Sequence, residues 1–258
     1  MNKMPSLFIS HGPPFVALAD CPAQRFFKAL GGHLPTPKGI VSVSAHWESV
    51  HPMVTAGVDP GLVYDFGGPR ALKPTRYRLG GAPRLAEEIT QRLQAEGIAA
   101  SEFERGFDHG TWIPLMLMYP EGGIPVVQLS IQTEADAAHH HRLGNALAPL
   151  RHAGILIMAS GGAVHNLDEI SDDGGIDAQP PAYVRRFDRW LEDQIIQGRE
   201  AGLLDYQRHA PDPDRCHPYP AEHFLPLFVA LGAADGAKGR RLHDSFLLGT
   251  LSMAAYAW

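Results

Sequence analysis

The sequence is poor in the features that would place it quickly. It has two cysteines, Cys21 and Cys216, and they form no CxxC pair. That excludes a cysteine-rich zinc or disulfide framework, and both read as reduced thiols of a cytoplasmic protein. Charged residues are only 19% and the formal balance is −6, so the cationic surface that grips nucleic-acid phosphates is lacking. No apolar run approaches the roughly 20 residues that span a bilayer. The opening stretch "MNKMPSLFISHGPP" has too short an apolar run for a signal-peptide core. The expected partners are therefore neither nucleic acid nor membrane. HExxH, GxSxG, GxGxxG and the P-loop are missing too. The common metalloprotease helix loses its support, nucleotide cofactors have no motif, and Ser160 in "MASGG" lacks the first glycine of a nucleophile elbow.

What the chain has in quantity is histidine, 14 residues, alongside 22 prolines and 27 glycines in 258. Four apolar or β-branched segments bounded by turn residues read as buried strands: 6–10, 39–45, 124–131 and 154–160. Helical patterns lie between and after them, over 83–97, 135–151 and 181–201, and in a shorter segment ending near Gly232. In the first of these, Leu85, Ile89 and Leu93 share a face, Pro83 opens it and Gly97 suits its cap. The tail "DSFLLGTLSMAAYAW" predicts one further strand, antiparallel to the rest. Alternating strands and helices with no repeat or linker predict one α/β domain over residues 1–258, built on a central, mostly parallel sheet.

The histidines fall where such a sheet does its work. The first strand runs into His11, the second into His46, and the fourth reaches His165 five residues on. Ligand crevices of parallel α/β sheets lie outside the carboxyl ends of the strands, so all three emerge at one edge. His109, in "RGFDHGTW", reads as loop-borne and able to point into the same cleft. His217 and His223 lie six residues apart in "CHPYPAEHF", with Glu222 directly before the second. Neutral imidazole is a common ligand for Zn²⁺, Fe²⁺ and Cu²⁺, and two histidines with one carboxylate make the usual non-haem Fe(II) set. Glu222 could complete such a set, or His223 could make it all-histidine. The run His139–His141 reads instead as a solvated helix face, and His33, His51, His152, His209 and His243 have no constellation around them.

Seven segments in order, "FISHGPP", "VSVSAHWES", "YDFGGP", "GFDHGTWIPL", "IPVVQLSI", "ASGGAVHNL" and "EHFLPLFVALGA", resemble the class III extradiol ring-cleavage dioxygenases of the LigB superfamily, and within it the 4,5-DOPA extradiol dioxygenase branch. The resemblance implies a three-layer α/β/α fold and one divalent metal per chain, Fe(II) for activity, with Zn(II) able to take its place in isolated protein. It implies an enzyme that opens the ring of a catechol-type diol with O₂, as a monomer or small homo-oligomer. Carried over motif by motif, His11, His46 and His223 match the metal ligands, His165 the acid/base histidine, and His109 a histidine that binds substrate or oxygen. "PYPAEH" carries one residue more than the branch pattern, Ala221, which either bulges harmlessly or shifts the third ligand to Glu222. His217 is then a pocket neighbour. Trp47, Phe66, Tyr219 and Phe224 are candidate pocket walls, and Arg70 or Arg76 could meet a substrate carboxylate. A zinc hydrolase or a non-catalytic metal-binding protein on the same scaffold would use the same ligands.

Overall fold

In the computed structural model, alternation of buried side chains along the central strands sets the layers. The structure describes residues 3–67, 77–170 and 175–258; Arg70 and Arg76 lie outside them. Leu7 and Ile9 of β1 (Ser6–Ser10) join one core, with Ile40 of β2 (Gly39–Glu48) and Leu156 and Met158 of β6 (Ile155–Gly161). Phe8, Val41, Val43, Ile157 and Ala159 join the other, on the opposite face. Period-two alternation with both faces apolar is what a sheet covered on each side by helices requires. The first core is closed by α1 (Pro22–His33) and α3 (His109–Met118), the second by α2 (Pro83–Ala95), α4 (Ala137–Leu147), α5 (Ala182–Gln197) and α9 (Leu225–Ala233). Three short helices, α6 (Glu200–Leu204), α7 (Tyr206–His209) and α8 (Pro213–Cys216), fill the stretch between α5 and α9. The three-layer α/β/α expectation holds.

The remaining strands are β3 (Met53–Thr55), β4 (Ser101–Phe103), β5 (Val126–Ile131), β7 (Arg240–His243), a small β8–β9 hairpin (Phe246–Leu247, Leu251–Ser252) and β10 (Ala255–Ala257). Eight of the ten strands make one sheet in the order β4-β3-β5-β2-β6-β1-β10-β7. Its centre, β5-β2-β6-β1, is parallel throughout. β10 adds to β1 antiparallel, Leu7 opposite Ala257, as the tail was expected to do. The parallel centre puts the ends of β1, β2 and β6 at one edge.

Several expectations are corrected in detail. β2 continues past Ala45 to Glu48, so His46 lies within the strand. The expected helix over 135–151 ends at Leu147 and passes into a 3₁₀ segment, Ala148–Ala153, where the ring of Pro149 interrupts α-helical hydrogen bonding. His109 is not loop-borne: it is the first residue of α3, directly after Asp108 at the N-cap position. That helix escapes a periodicity search because it is apolar all round and contains Pro114, as a fully buried helix can be. Nor is His139–His141 a solvated face. Consecutive helical residues fan by about 100° each, and His140 turns fully inward. Its Nδ1–H donates to the Asp136 carbonyl and its Nε2 accepts the Gln132 N–H. Among the described residues no helix is long and apolar enough to cross a membrane.

Two tests follow from this packing. The α4 and α9 backbones meet at glycines: a Cβ on Gly144 would lie 2.2 Å from the Val229 carbonyl oxygen. Gly144→Ala should therefore destabilise by about 1–3 kcal/mol, read as a lower urea midpoint at unchanged slope; an unchanged midpoint would contradict the close approach. Burial holds the His140 pKa down at about 4, below the ordinary value near 6.5 of an unfolded chain. The unfolded chain then takes up the proton first on acidification, so this contribution is complete above pH ~6.5 and falls away toward pH ~4. Urea midpoints across that window should fall less steeply in His140→Asn than in the parent, and equal slopes would refute a neutral buried His140.

Candidate metal centre

Five imidazoles meet at the carboxyl edge of the parallel strands. His11 follows β1, with its N–H donating to the Gly161 carbonyl of neighbouring β6. His46 projects from the irregular end of β2, His109 from the start of α3, His165 from the turn after β6, and His223 from the turn before α9. Ring centroids of His46 lie 5.0 Å from His11, 4.0 Å from His109 and 4.9 Å from His223. His11 is 5.4 Å from His109 and 5.3 Å from His223, and His165 stacks on His223 at 3.5 Å with 6° between the planes. Gly110 permits the convergence, because a Cβ there would sit 2.5 Å from Ser44 Oγ and 3.2 Å from both the His11 and His46 rings.

The outer nitrogens are tied down, which fixes what the inner ones present. Ser160 Oγ donates its single proton to the Gly110 carbonyl at 2.5 Å, so toward His11 Nδ1, 3.0 Å away, it can only accept. Ser160 is thus an orienting group and not a nucleophile. His109 Nδ1–H donates to Asp65 Oδ1 at 2.9 Å, and His223 Nδ1–H to Glu222 Oε1 at 2.7 Å. Each of these rings is left with an unprotonated Nε2, the tautomer that ligates a metal. Asp65 also accepts the backbone N–H of His109 at 3.1 Å, and its second oxygen lies 3.7 Å from His46 Nδ1. Burial alone would raise the Asp65 pKa, but the hydrogen bonds from His109 outweigh it and hold this carboxyl below its usual range.

Burial and mutual repulsion disfavour protonation of four of the rings. Burial first, and mutual repulsion among the rings second, hold His11 and His223 well below the ordinary histidine range. His46 is lowered to about 4 by burial and by His109, against the pull of Asp108, Asp65 and Glu222. His165 is lowered to about 4, mainly by burial.

This donor set fits a divalent transition metal. Nitrogens bound about 2.1 Å from one ion, with roughly 90° between them, lie about 3.0 Å apart, and His11 Nε2 and His46 Nε2 are 3.0 Å apart. Ligand atoms of His11, His46 and His109 all fall within 4.8 Å of one another. A second such group, His165, Glu222 and His223, abuts the first.

The other expected site residues are distributed unevenly. Phe66 borders the cluster, its ring 5.4 Å from His109. Trp47 is buried beneath the Arg105 guanidinium, 5.0 Å from its ring. His217 is buried, donates Nε2–H to the Ala163 carbonyl at 3.0 Å and stacks on Phe224; Phe224 is fully buried in the core. Tyr219 is 81% exposed and donates to Glu134. With His165, His217, Glu222 and His223 it lines a cavity of about 260 Å³ beside the imidazoles. Ala221 takes a left-handed φ of +59° in this turn, and Glu222 caps His223. Asp65 carries no signal of this role in the sequence, although it lies in "YDFGGP": a lone acid in a loop has no periodicity to betray it.

Comparison with known proteins agrees with this geometry. The family described as the catalytic LigB subunit of aromatic ring-opening dioxygenase matches residues 5–257. The chain is 42% identical to a 4,5-DOPA dioxygenase extradiol of Portulaca grandiflora, over 97% of this chain and 94% of the relative. It is 39% identical to proteins of that name from Beta vulgaris (99% and 96% covered) and Escherichia coli K12 (98% and 93% covered). The crystal structure of an uncharacterized protein from Escherichia coli K12 superposes with a TM-score of 0.84 at 36% identity, covering 99% of both chains. Matched over nearly its whole length in sequence and fold, the chain belongs to the LigB family of aromatic ring-opening dioxygenases.

Proposed function

We propose that the chain is a non-haem Fe(II)-dependent extradiol dioxygenase that opens the ring of a substituted catechol with O₂. It would work as one catalytic unit in the cytoplasm, on a small aromatic diol. The observation that carries the proposal is the convergence of five imidazoles at one sheet edge, those of His11, His109 and His223 buried, more than a metal needs for holding alone. The relatives named for DOPA cleavage support a substituted catechol as the substrate class.

In this reading His11, His46 and His223 hold the metal, leaving His109 and His165 for the substrate. Two features support His223 over Glu222. The carboxylate of Glu222 is engaged with His223 Nδ1, and the His223 ring faces both His11 and His46. A divalent iron held there supplies a template on which diol and O₂ meet, together with Lewis acidity toward the diol. His109, with Nδ1–H committed to Asp65, offers a bare Nε2 and accepts a hydrogen bond from a substrate hydroxyl. A proton arriving on that ring is stabilised by the Asp65 carboxylate, as in other carboxylate–histidine pairs. His165 is neutral at pH 7 and receives the second diol proton, returning it later to the cleaved product. Phe66 against His109 keeps that side of the cleft apolar, and the cavity beyond His165 and His223 accommodates the ring substituent.

Anaerobic loading with Fe(II), then a catechol panel with O₂, tests the activity. Matched O₂ uptake and a coloured ring-fission product are expected, and no turnover of any catechol by iron-loaded protein would refute the reading. The roles separate in variants: His223→Ala should lose stoichiometric metal, whereas His165→Ala should retain it and lose about 10²–10⁴-fold in kcat. Loss of metal in Glu222→Ala but not in His223→Ala would overturn the ligand assignment.

A further inference from the structure

The parallel ladder that carries His46 stops short of it. β2 pairs with β6 up to Ser44 opposite Ser160, and with β5 up to Val43 opposite Leu129. Pairing with β5 resumes only at Glu48 opposite Ile131, so five steps along β2 face two along β5. Ala45, His46 and Trp47 are bulged out of register, where a strand re-aims its side chains but gives up ladder hydrogen bonds. The His46 backbone must be held by something else.

We propose that Arg105 and Asp108 are positioning residues of the metal centre, a buried brace that fixes the bulged His46 against the first turn of α3, which carries His109. Arg105 Nη2–H donates to the His46 carbonyl at 3.1 Å, and its Nη1–H donates to Asp108 Oδ2 at 3.1 Å. The guanidinium lies over Trp47, the next bulge residue. Ser44 Oγ–H donates to Asp108 Oδ1 at 2.7 Å and accepts the His46 N–H at 3.2 Å, so both backbone polar groups of His46 end on the brace. Gln128 of β5 donates to the other Asp108 oxygen, closing the loop to the strand from which β2 has slipped. Asp108 is wholly buried, and a carboxylate is kept there only if its charge is matched and its lone pairs filled. Planarity suits arginine to this place, since one rigid fork reaches a carbonyl and a carboxylate together.

The inference rests on His46 being a ligand, as read above, and its test reads metal binding rather than turnover. Metal-free full-length chain is titrated with Co(II), whose visible absorption reports ligand geometry, and thermal midpoints are measured in parallel. Arg105→Gln should weaken Co(II) binding about 10–100-fold and move the visible band, with Arg105→Lys falling between it and the parent. Gly144→Ala, destabilised far from the site, should keep the parent affinity and spectrum. Parent-like binding and spectrum in Arg105→Gln would overturn the proposal, as would the same change in Gly144→Ala, which would make it mere stability. Should Arg105→Gln not fold, Ser44→Ala removes one strut while sparing the ion pair, and an unshifted band there counts equally against the brace. A parent chain that binds no Co(II) would sink the metal reading beneath it.

Discussion

A buried imidazole cannot leave its nitrogens to water, and the site depends on how that demand is met. Three of the five rings spend Nδ1 on an outer partner: Ser160 for His11, Asp65 for His109 and Glu222 for His223. Each partner sits behind its ring, so each Nε2 is turned inward and stripped of its proton. Without a cation or a shared proton, His11 Nε2 and His46 Nε2 at 3.0 Å would oppose lone pair to lone pair. A neutral His46 relieves that opposition by donating Nε2–H to His11 Nε2, and a cation between the two nitrogens would relieve it equally.

Burial also bears on which cation would suit the place. Protonating the rings is disfavoured by desolvation and by their neighbours, so a metal ion would be held there more readily than a proton. Three carboxylates, Asp65, Asp108 and Glu222, surround the imidazoles without displacing them. In the proposed reading, an all-imidazole ligand set would leave the ion its full +2 charge, and an ion that keeps more charge would depress the pKa of a bound diol more strongly. Asp65 and Glu222, one hydrogen bond behind His109 and His223, would preserve that acidity while orienting the rings. Acids placed behind histidines rather than on the metal would then serve the chemistry as well as the structure.

Much of this was legible in the sequence, for a physical reason. Strands β1, β2 and β6 announce themselves because both faces are covered, giving continuous apolar runs, and histidine directly after such a run marks the functional edge of a parallel sheet. His11, His46 and His165 were found that way. His109 was located but misassigned to a loop, because the helix it opens is buried on every side and shows no polar face. His140 was misjudged for the converse reason: polar type suggested solvent, while its place in the helix turned it toward the core. The side chains that hold the imidazoles and their backbone in place were not legible. Asp65, Arg105 and Gln128 matter through hydrogen bonds to groups 44, 59 and 20 residues away, and no local pattern encodes a contact of that range.

The boundary between scaffold and site runs through β2 itself. Up to Val43 the strand is held by regular ladders on both sides, and its side chains fill the two cores. From Ala45 to Trp47 the ladders lapse and side chains from other elements take over the backbone. A regular strand could not do both jobs, since its period-two alternation would commit every side chain to one covering layer or the other. Bulging frees His46 to turn along the sheet edge toward His11 and His109, at the price of three residues with no ladder to hold them. A buried ion pair is a poor means of adding stability, but it is a directional one. At a place where the sheet has surrendered its own geometry, direction is what the imidazole requires.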